Sequence, residues 1–417
     1  NMNINFKNWQ IILTDRERAM IKGINRNSNW VPAEIEYDGK KYKASIRLKG
    51  NTGDHWLWPT RWSLRVELKK NKTIMGMNKF SLQRPASRQF PGDYLFQKWH
   101  RYLGGLAPRF NVLKIMINGQ NWGIMLAEEA ISKNFVEHAK RKNSPTIKLI
   151  TKAEEGGYFI TANKNNFHIP KTFYSALSNN KPVLISEKNV AKNDSFINDF
   201  SYLKGQLQKA KINSIHYDNI FDFDALILPC LLSNIWGSNH TLGPQNSRFY
   251  FNPYTLLIEP ITSDQTKYDV VSSKELNCPF PYNKALEYFK KKPSLIKIWD
   301  KIELSIKKLP LWHKQICKHF PLDCPSFDVK VIEQNFKKVK ANFFLNNNIN
   351  IIKKSLKNSD ENLDPFNNSF NDVNIDYPEY IFAEHISDGK LIIYNYLSKD
   401  VIIKAVELKC YLKNKSK

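Results

Sequence analysis

The sequence predicts an α+β fold: an antiparallel, sheet-rich amino-terminal part, a helical carboxyl-terminal part and a small β-unit at the end. Three observations carry this reading. Apolar and polar residues alternate with a period of two through much of the first 130 residues, an AsnGly pair at 118 and 119 lies between two such runs, and from about residue 194 the apolar positions recur at helical spacing.

Taken in order, residues 1–30 read as a strand through TrpGlnIleIleLeu (from Trp9) and then a short helix, because Thr14 and Glu17 have capping-box spacing. Residues 31–155 form the sheet-rich part. Ala33–Tyr37 and Tyr42–Leu48 flank AspGlyLysLys as a hairpin, and alternation returns from Trp62 and from Lys79, with a helix expected at 92–103. The AsnGly hairpin leads directly to Glu128 and Glu129, followed by a helix over 130–142 and a strand over 147–152. Residues 156–193 are polar and irregular and read as an insertion or lid. Residues 194–357 are helical and include an apolar helix at 223–236. Within them a loop and hairpin span 240–264, the two strands meeting at AsnProTyr. A linker at 358–378 precedes the β-unit of 379–417, with strands expected in GlyLysLeuIleIleTyrAsnTyr and AspValIleIleLysAlaValGluLeu.

Hydrophobic residues make up 42% and aromatics 13% of the 417 residues, which excludes a disordered chain, and the longest apolar run, from Ala225, is far too short to span a membrane. The chain opens at Asn1 without a signal-peptide pattern, as a product whose targeting segment has been removed would, and this start leaves localisation open. The 63 Lys and Arg against 39 Asp and Glu give a charge of +24, which favours anionic partners: nucleotide phosphates, acidic glycans, lipid headgroups or polynucleotide. The same lysines also serve simply as solvated helix faces. Cys230, Cys278, Cys317, Cys324 and Cys410 form no CxxC pair, so zinc is not expected. Cys317 and Cys324 are near enough in sequence to bridge in an oxidising compartment, and plain buried thiols are the alternative.

The chemistry concentrates in the 240–264 segment. Asn246 stands just before the first strand of the hairpin and Asp264 just after the second, and a hairpin brings its open ends together, so the two can share one cation. Phosphoryl transfer needs such a pair, because a divalent ion must bridge the nucleotide's phosphate oxygens. A strand-rich half, a helical half, and between them a buried helix, a loop and a hairpin is also the element order of kinase-like folds. Turn and loop residues of these types are common without any metal.

The runs IleArgLeuLysGlyAsnThr (46–52), MetAsnLysPheSerLeuGln (77–83), IleAsnGlyGlnAsnTrpGlyIle (117–124) with AlaGluGlu, and AsnSerArgPheTyrPheAsnPro (246–253) through Asp264 resemble, in this order, the spore coat protein H (CotH) kinase family. The hairpin, Asn-x-ArgPheTyr-x-AsnPro, is similar to that of a poorly characterised bacterial subgroup. The resemblance implies an atypical protein-kinase-like, two-lobed fold, binding of ATP with Mg2+ or Mn2+, and phosphorylation of Ser or Thr in surface proteins. It also implies a place in the bacterial cell envelope, periplasmic or extracytoplasmic, with a membrane anchor ahead of the catalytic domain in many relatives. One departure stands out. The family's catalytic Asp lies five residues before the metal-binding Asn, and that position is Thr241 here.

His240 is therefore the candidate base, with Asn246 and Asp264 as catalytic and metal-binding residues. A helix-end role for His240 and for Asn239 is the plainer reading. Arg47, Lys49 and Arg65 are candidate phosphate contacts on the sheet, against the ordinary reading of alternating surface charge. Asp93 either opens the helix near 92 as a charge favourable to the dipole or pairs with one of those cations. Glu128 and Glu129 are candidate cleft residues or surface charges, Lys152 is a further candidate at the end of a strand, and His55 lies in the loop after the first hairpin, where a phosphate-covering role is open.

Three functions compete. One is a kinase acting on a protein or glycan hydroxyl. A second is a pseudokinase that binds nucleotide and scaffolds envelope assembly, as the missing Asp suggests. The third is a basic polyanion-binding module whose affinity falls with salt and ignores Mg2+. No motif for specific nucleic-acid recognition is present.

Overall fold

A computed structural model describes residues 1–23, 25, 28–150, 181–185, 193–211, 215–243, 246–271, 276–290, 296–320, 324–357, 381–386 and 390–395. The fold is mixed α+β. Its amino-terminal part is a closed seven-stranded barrel in the order β1-β2-β3-β4-β5-β7-β6, rather than the open antiparallel sheet that alternation alone predicts. The strands are β1 (Met2–Asn3), β2 (Val31–Tyr37), β3 (Lys40–Leu48), β4 (Leu64–Leu68), β5 (Lys79–Gln83), β6 (Phe110–Ile117) and β7 (Gln120–Glu129). Closure runs through the two residues of β1, antiparallel to β2 and parallel to β6 at Met2↔Ile117, which removes both sheet edges. So short a strand carries no periodicity to read.

Helix α1 (Phe6–Lys22) corrects the strand expected at Trp9–Leu13. Asn5 caps it, accepting from the Asn8 N–H at 2.8 Å, so the cap lies nine residues before Thr14. Trp9 stacks on Trp62 at 5.4 Å, and the helix packs against the barrel. Helix α2 (Gly92–Tyr102) fills the predicted span, whereas α3 (Lys133–His138) is shorter than 130–142.

The second sheet has the order β11-β10-β8-β9: β8 (Thr146–Ile150), β9 (Lys181–Leu184), β10 (Arg248–Asn252) and β11 (Leu257–Ile261). Residues 181–184, read as part of an irregular insertion, thus pair with β8, and the rest of 156–192 apart from Ile185 lies outside the described residues. One hydrophobic core joins this sheet to α4 (Asp194–Lys211), α5 (Phe223–Trp236), α6 (Tyr282–Phe289), α7 (Ile296–Ile306), α8 (Leu309–Cys317) and α9 (Val329–Lys357). Helix α5 is buried on nearly all sides. Asp222 caps its start, and Gly237 at φ +79 ends it where a Cβ would lie 2.2 Å from the Asp269 carbonyl oxygen.

Cys230–Cys278 and Cys317–Cys324 form disulfides; the first bridges 48 positions and was not foreseen from spacing. Cys410, the 358–378 linker and the strand expected at 400–408 lie outside the described residues; β12 (Ile381–Ile386) and β13 (Lys390–Asn395) pair antiparallel. Among the described residues no helix is long and apolar enough to cross a membrane.

Candidate active site

The barrel's pleat builds one wall of the site. Ile46, Leu48, Leu64, Val66, Phe80, Leu82, Met125 and Ala127 fill the interior, so the residues between them project from the outer face. Cross-strand register then aligns Arg47, Arg65, Ser81 and Glu128 in one row over four strands. Arg47 and Arg65 line a cavity of about 830 Å3 whose other walls include Trp30, Ile131, Asn134 and Ile185. Both guanidinium Nε atoms are buried without a hydrogen-bond partner, an arrangement that favours an incoming anion. Burial lowers the pKa of each.

Beyond Arg65 the row ends in a buried charge network. Glu128 pairs with Lys49 at 3.1 Å and with Arg88 at 2.6 Å and accepts from the Gln83 amide. Arg88 also binds Asp93 at 3.1 Å and Asp264, so one guanidinium holds three carboxylates from three elements. Burial opposes ionisation of Glu128, yet the Arg88 and Lys49 charges outweigh it and hold the carboxyl at about 2. Asp93 is pushed the other way, to about 6: burial and the Glu128 and Asp264 charges exceed the pull of Arg88. Burial brings the Lys49 ammonium down to about 8, against the pull of Glu128. Asp264 is held below its ordinary range, since Arg88 and His240 overcome its partial burial.

The second wall comes from the hairpin. Ser263 Oγ donates to the Asn246 carbonyl oxygen at 3.4 Å, which brings the two open ends together, and the Asn246 amide donates to the His240 carbonyl oxygen at 3.0 Å. Asp264, at φ +61, is about half-exposed, with its carboxylate 4.0 Å from His240 Nε2. Asp93 accepts from the Gln265 N–H at 2.9 Å and from the Gln97 amide at 3.0 Å, pinning the residue after Asp264 to α2. Thr241, fully buried, donates to the Ser263 carbonyl oxygen at 2.7 Å and accepts from the Ser263 N–H at 3.0 Å. It fixes the loop to the hairpin and has no free face.

The structure therefore brings together Lys49, Arg65, Asp93, Glu128, His240, Asn246 and Asp264, with Arg47 further along the cavity. Asp93 is not a cap. Its carboxylate is buried against Arg88, a residue outside the three cations considered from the sequence. Glu129 is a second correction, because strand alternation turns it away from Glu128 and onto Arg109 at 2.5 Å. Lys152 lies outside the described residues. His240 does not close α5, whose end is satisfied by Gly237 and Ser238 N–H groups on Asn234 and Ser233, while Asn239 donates to the Asn277 carbonyl oxygen. His55 hydrogen-bonds Ser63 at 2.8 Å and packs on Gly50, and its loop reaches the Arg88 turn through Ser87 Oγ on the Asp54 carbonyl oxygen at 2.7 Å. Burial holds that imidazole down at about 4. Arg88 itself was missed, since a lone Arg in ProAlaSerArg has no distinguishing spacing.

The donors at the hairpin mouth, a carboxylate and an amide, are hard oxygen ligands of the kind Mg2+ and Mn2+ take, and Asp264 is kept ionised. A family model described as CotH kinase protein matches residues 46–254, 209 of the 417 residues, spanning the barrel row, the Arg88 turn, His240 and Asn246 and stopping ten residues short of Asp264. No curated protein matches the chain at a significant level.

Proposed function

This chain belongs to the CotH kinase protein family, and from that membership we propose that it is an atypical, two-lobed kinase that moves the γ-phosphoryl group of ATP to a hydroxyl of a protein or cell-surface glycan. The barrel serves as the amino-terminal lobe and the helical core as the carboxyl-terminal lobe. The observation that carries the reading is the cavity of about 830 Å3 lined by two unsatisfied buried guanidinium nitrogens. Trp30, Ile131 and Ile185 supply apolar surface for a base, Arg47 and Arg65 supply charge along the phosphates, and Lys49 and Arg88 continue that charge toward the hairpin.

Asp264 and Asn246 would hold a divalent ion, which would supply charge neutralisation to the transferring phosphoryl group. Arg88 holds Asp264 together with Glu128 and Asp93 at the edge of that position. His240, half-exposed beside Asp264, accepts the acceptor hydroxyl's proton in place of the family's Asp. The two disulfides support an oxidising compartment, in keeping with the cell envelope, and the +24 charge supports an anionic acceptor surface.

Thermal stabilisation by ATP, with and without Mg2+ or Mn2+, tests the site on the native chain and on Asp264→Ala. A metal-dependent shift lost in the variant supports it, and no shift with any metal overturns it. Thr241 favours a second reading, a nucleotide-binding pseudokinase scaffold: it stands at the family's Asp position and is locked onto Ser263. Transfer of labelled phosphate on the same samples separates the two, since a pseudokinase binds without turnover.

A further inference from the structure

We propose that Cys317–Cys324 is a thiol-exchange site, opened by a small or protein dithiol with His313 as the group that stabilises the leaving sulfur. The two bridges differ in kind. Cys230 and Cys278 are 0% and 4% exposed and lie in the main core, whereas Cys317 and Cys324 are only partly buried. Loop-closure protection grows with about the 3/2 power of ring size, so a bridge spanning 7 positions is protected roughly 20-fold less than one spanning 48.

His313 supplies the chemistry. Its Nε2 lies 2.8 Å from the Pro325 carbonyl oxygen, which only accepts, so Nε2 carries the hydrogen. That N–H is 3.2 Å from Cys317 Sγ and 3.9 Å from Cys324 Sγ. The three donor atoms lie close enough for a soft metal ion, but the sulfurs are bonded to each other and the imidazole nitrogen presents a hydrogen rather than a lone pair. The set suits a leaving thiolate better than a cation.

In the step, a thiolate of the dithiol attacks Cys324 Sγ. The Cys317–Cys324 bond breaks, a mixed disulfide forms on Cys324, and Cys317 leaves as a thiolate that draws the single His313 Nε2 hydrogen away from the Pro325 carbonyl oxygen. The second thiol of the reductant, after losing its proton to solvent, closes its own disulfide and releases Cys324 as a thiolate. Two electrons pass from dithiol to protein. The bridge lies close to the Arg88 turn, because Phe320 packs on Phe90 at 4.7 Å, two residues past Arg88, and α8 lies on α2 through Trp312 and Tyr102 at 5.2 Å.

The test titrates the folded full chain with dithiothreitol, alkylates free thiols and locates them by peptide mass spectrometry. Cys317 and Cys324 are expected to label at tenfold or more lower reductant than Cys230 and Cys278, and His313→Gln to slow their opening about tenfold without altering the other bridge. Simultaneous opening, the reverse order, or an unchanged rate in His313→Gln overturns the proposal. The double variant Cys317→Ser/Cys324→Ser is expected to fold and to show faster amide exchange over residues 85–97. Unchanged exchange there, or failure to fold, assigns the bridge a purely structural role. None of these readouts depends on nucleotide.

Discussion

Arg88 and Asp264 are joined across 176 positions of sequence, one guanidinium nitrogen on the Asp264 carboxylate while the other holds Glu128 at 2.6 Å. With 5% of its side chain exposed, Arg88 is the counter-charge for carboxylates that burial would otherwise force to protonate. Arg88→Ala is expected to cost roughly 3–5 kcal/mol of unfolding free energy in urea, the range for leaving buried charge unpaired. A loss below about 1 kcal/mol would mean that the three carboxylates do not depend on it.

Lys49 gives the site a pH dependence. Its pKa is lowered from 10.5 to about 8, so the folded chain sheds this charge as pH rises through 8 and keeps it below. ATP affinity is expected to fall about tenfold between pH 7 and 9.5, one charge contact being worth on the order of 1.4 kcal/mol. In Lys49→Arg it is expected to stay level over the same range. Calorimetric titration of both proteins across that interval decides the point; parallel curves would remove Lys49 from the phosphate contacts.

The two adjacent glutamates are expected to separate cleanly. Glu128→Gln breaks the pairs with Lys49 and Arg88 and abolishes metal-dependent stabilisation by ATP. Glu129→Gln removes only the Arg109 contact, lowers the melting temperature and leaves the nucleotide shift intact. Thermal scans with and without ATP and Mg2+ read both effects at once, and an equal loss of the shift in both variants would contradict the division of faces.

These residues also mark what could be read from the sequence. The hairpin of 248–261 and helix 223–236 were legible because AsnProTyr and an apolar run of helical length are local signals, and the open ends of a hairpin must meet. Alternation alone should have split Glu128 from Glu129. Arg88 and Asp93 could not be paired, because their contact depends on how the 84–92 turn packs beneath Glu128, a tertiary fact with no local signature. Barrel closure was hidden for the same reason: two residues at the chain's start complete it.

His100 predicts acid sensitivity. It is fully buried with Nδ1 on Thr262 Oγ1 at 2.8 Å, and burial holds its pKa at about 3 against an ordinary 6.5. The unfolded chain takes up the proton as pH falls below 6.5, whereas the folded chain does not until about 3. Stability is therefore complete above 6.5 and is lost toward 3, at up to about 1.4 kcal/mol per pH unit from this group. In His100→Asn that loss disappears, so the stability gap between the two proteins in urea at pH 7.5, 6 and 5 is expected to shrink as pH falls. A constant gap would show that His100 titrates alike in both states.

In the proposed mechanism His240 accepts the proton while Thr241 fixes the loop to Ser263, at the position where the resemblance implies a catalytic Asp. His240 is 48% exposed and makes its nearest charged approach to Asp264, so His240→Ala is expected to change unfolding free energy by less than about 0.5 kcal/mol. Phosphoryl transfer is expected to fall by roughly 10²–10⁴ with ATP binding retained, the range for removing a general base. Thr241→Asp does not restore the family's residue. The new carboxylate would meet the Ser263 carbonyl oxygen, which now accepts the Thr241 hydroxyl, and would be buried without a cation. That variant is expected to be less stable and no more active, while Thr241→Ser keeps both hydrogen bonds and native behaviour. Transfer rates for the three variants, set beside their urea midpoints, test the division. A gain of activity in Thr241→Asp, or an unchanged rate in His240→Ala, would return the proton-accepting role to position 241 or remove it from the mechanism.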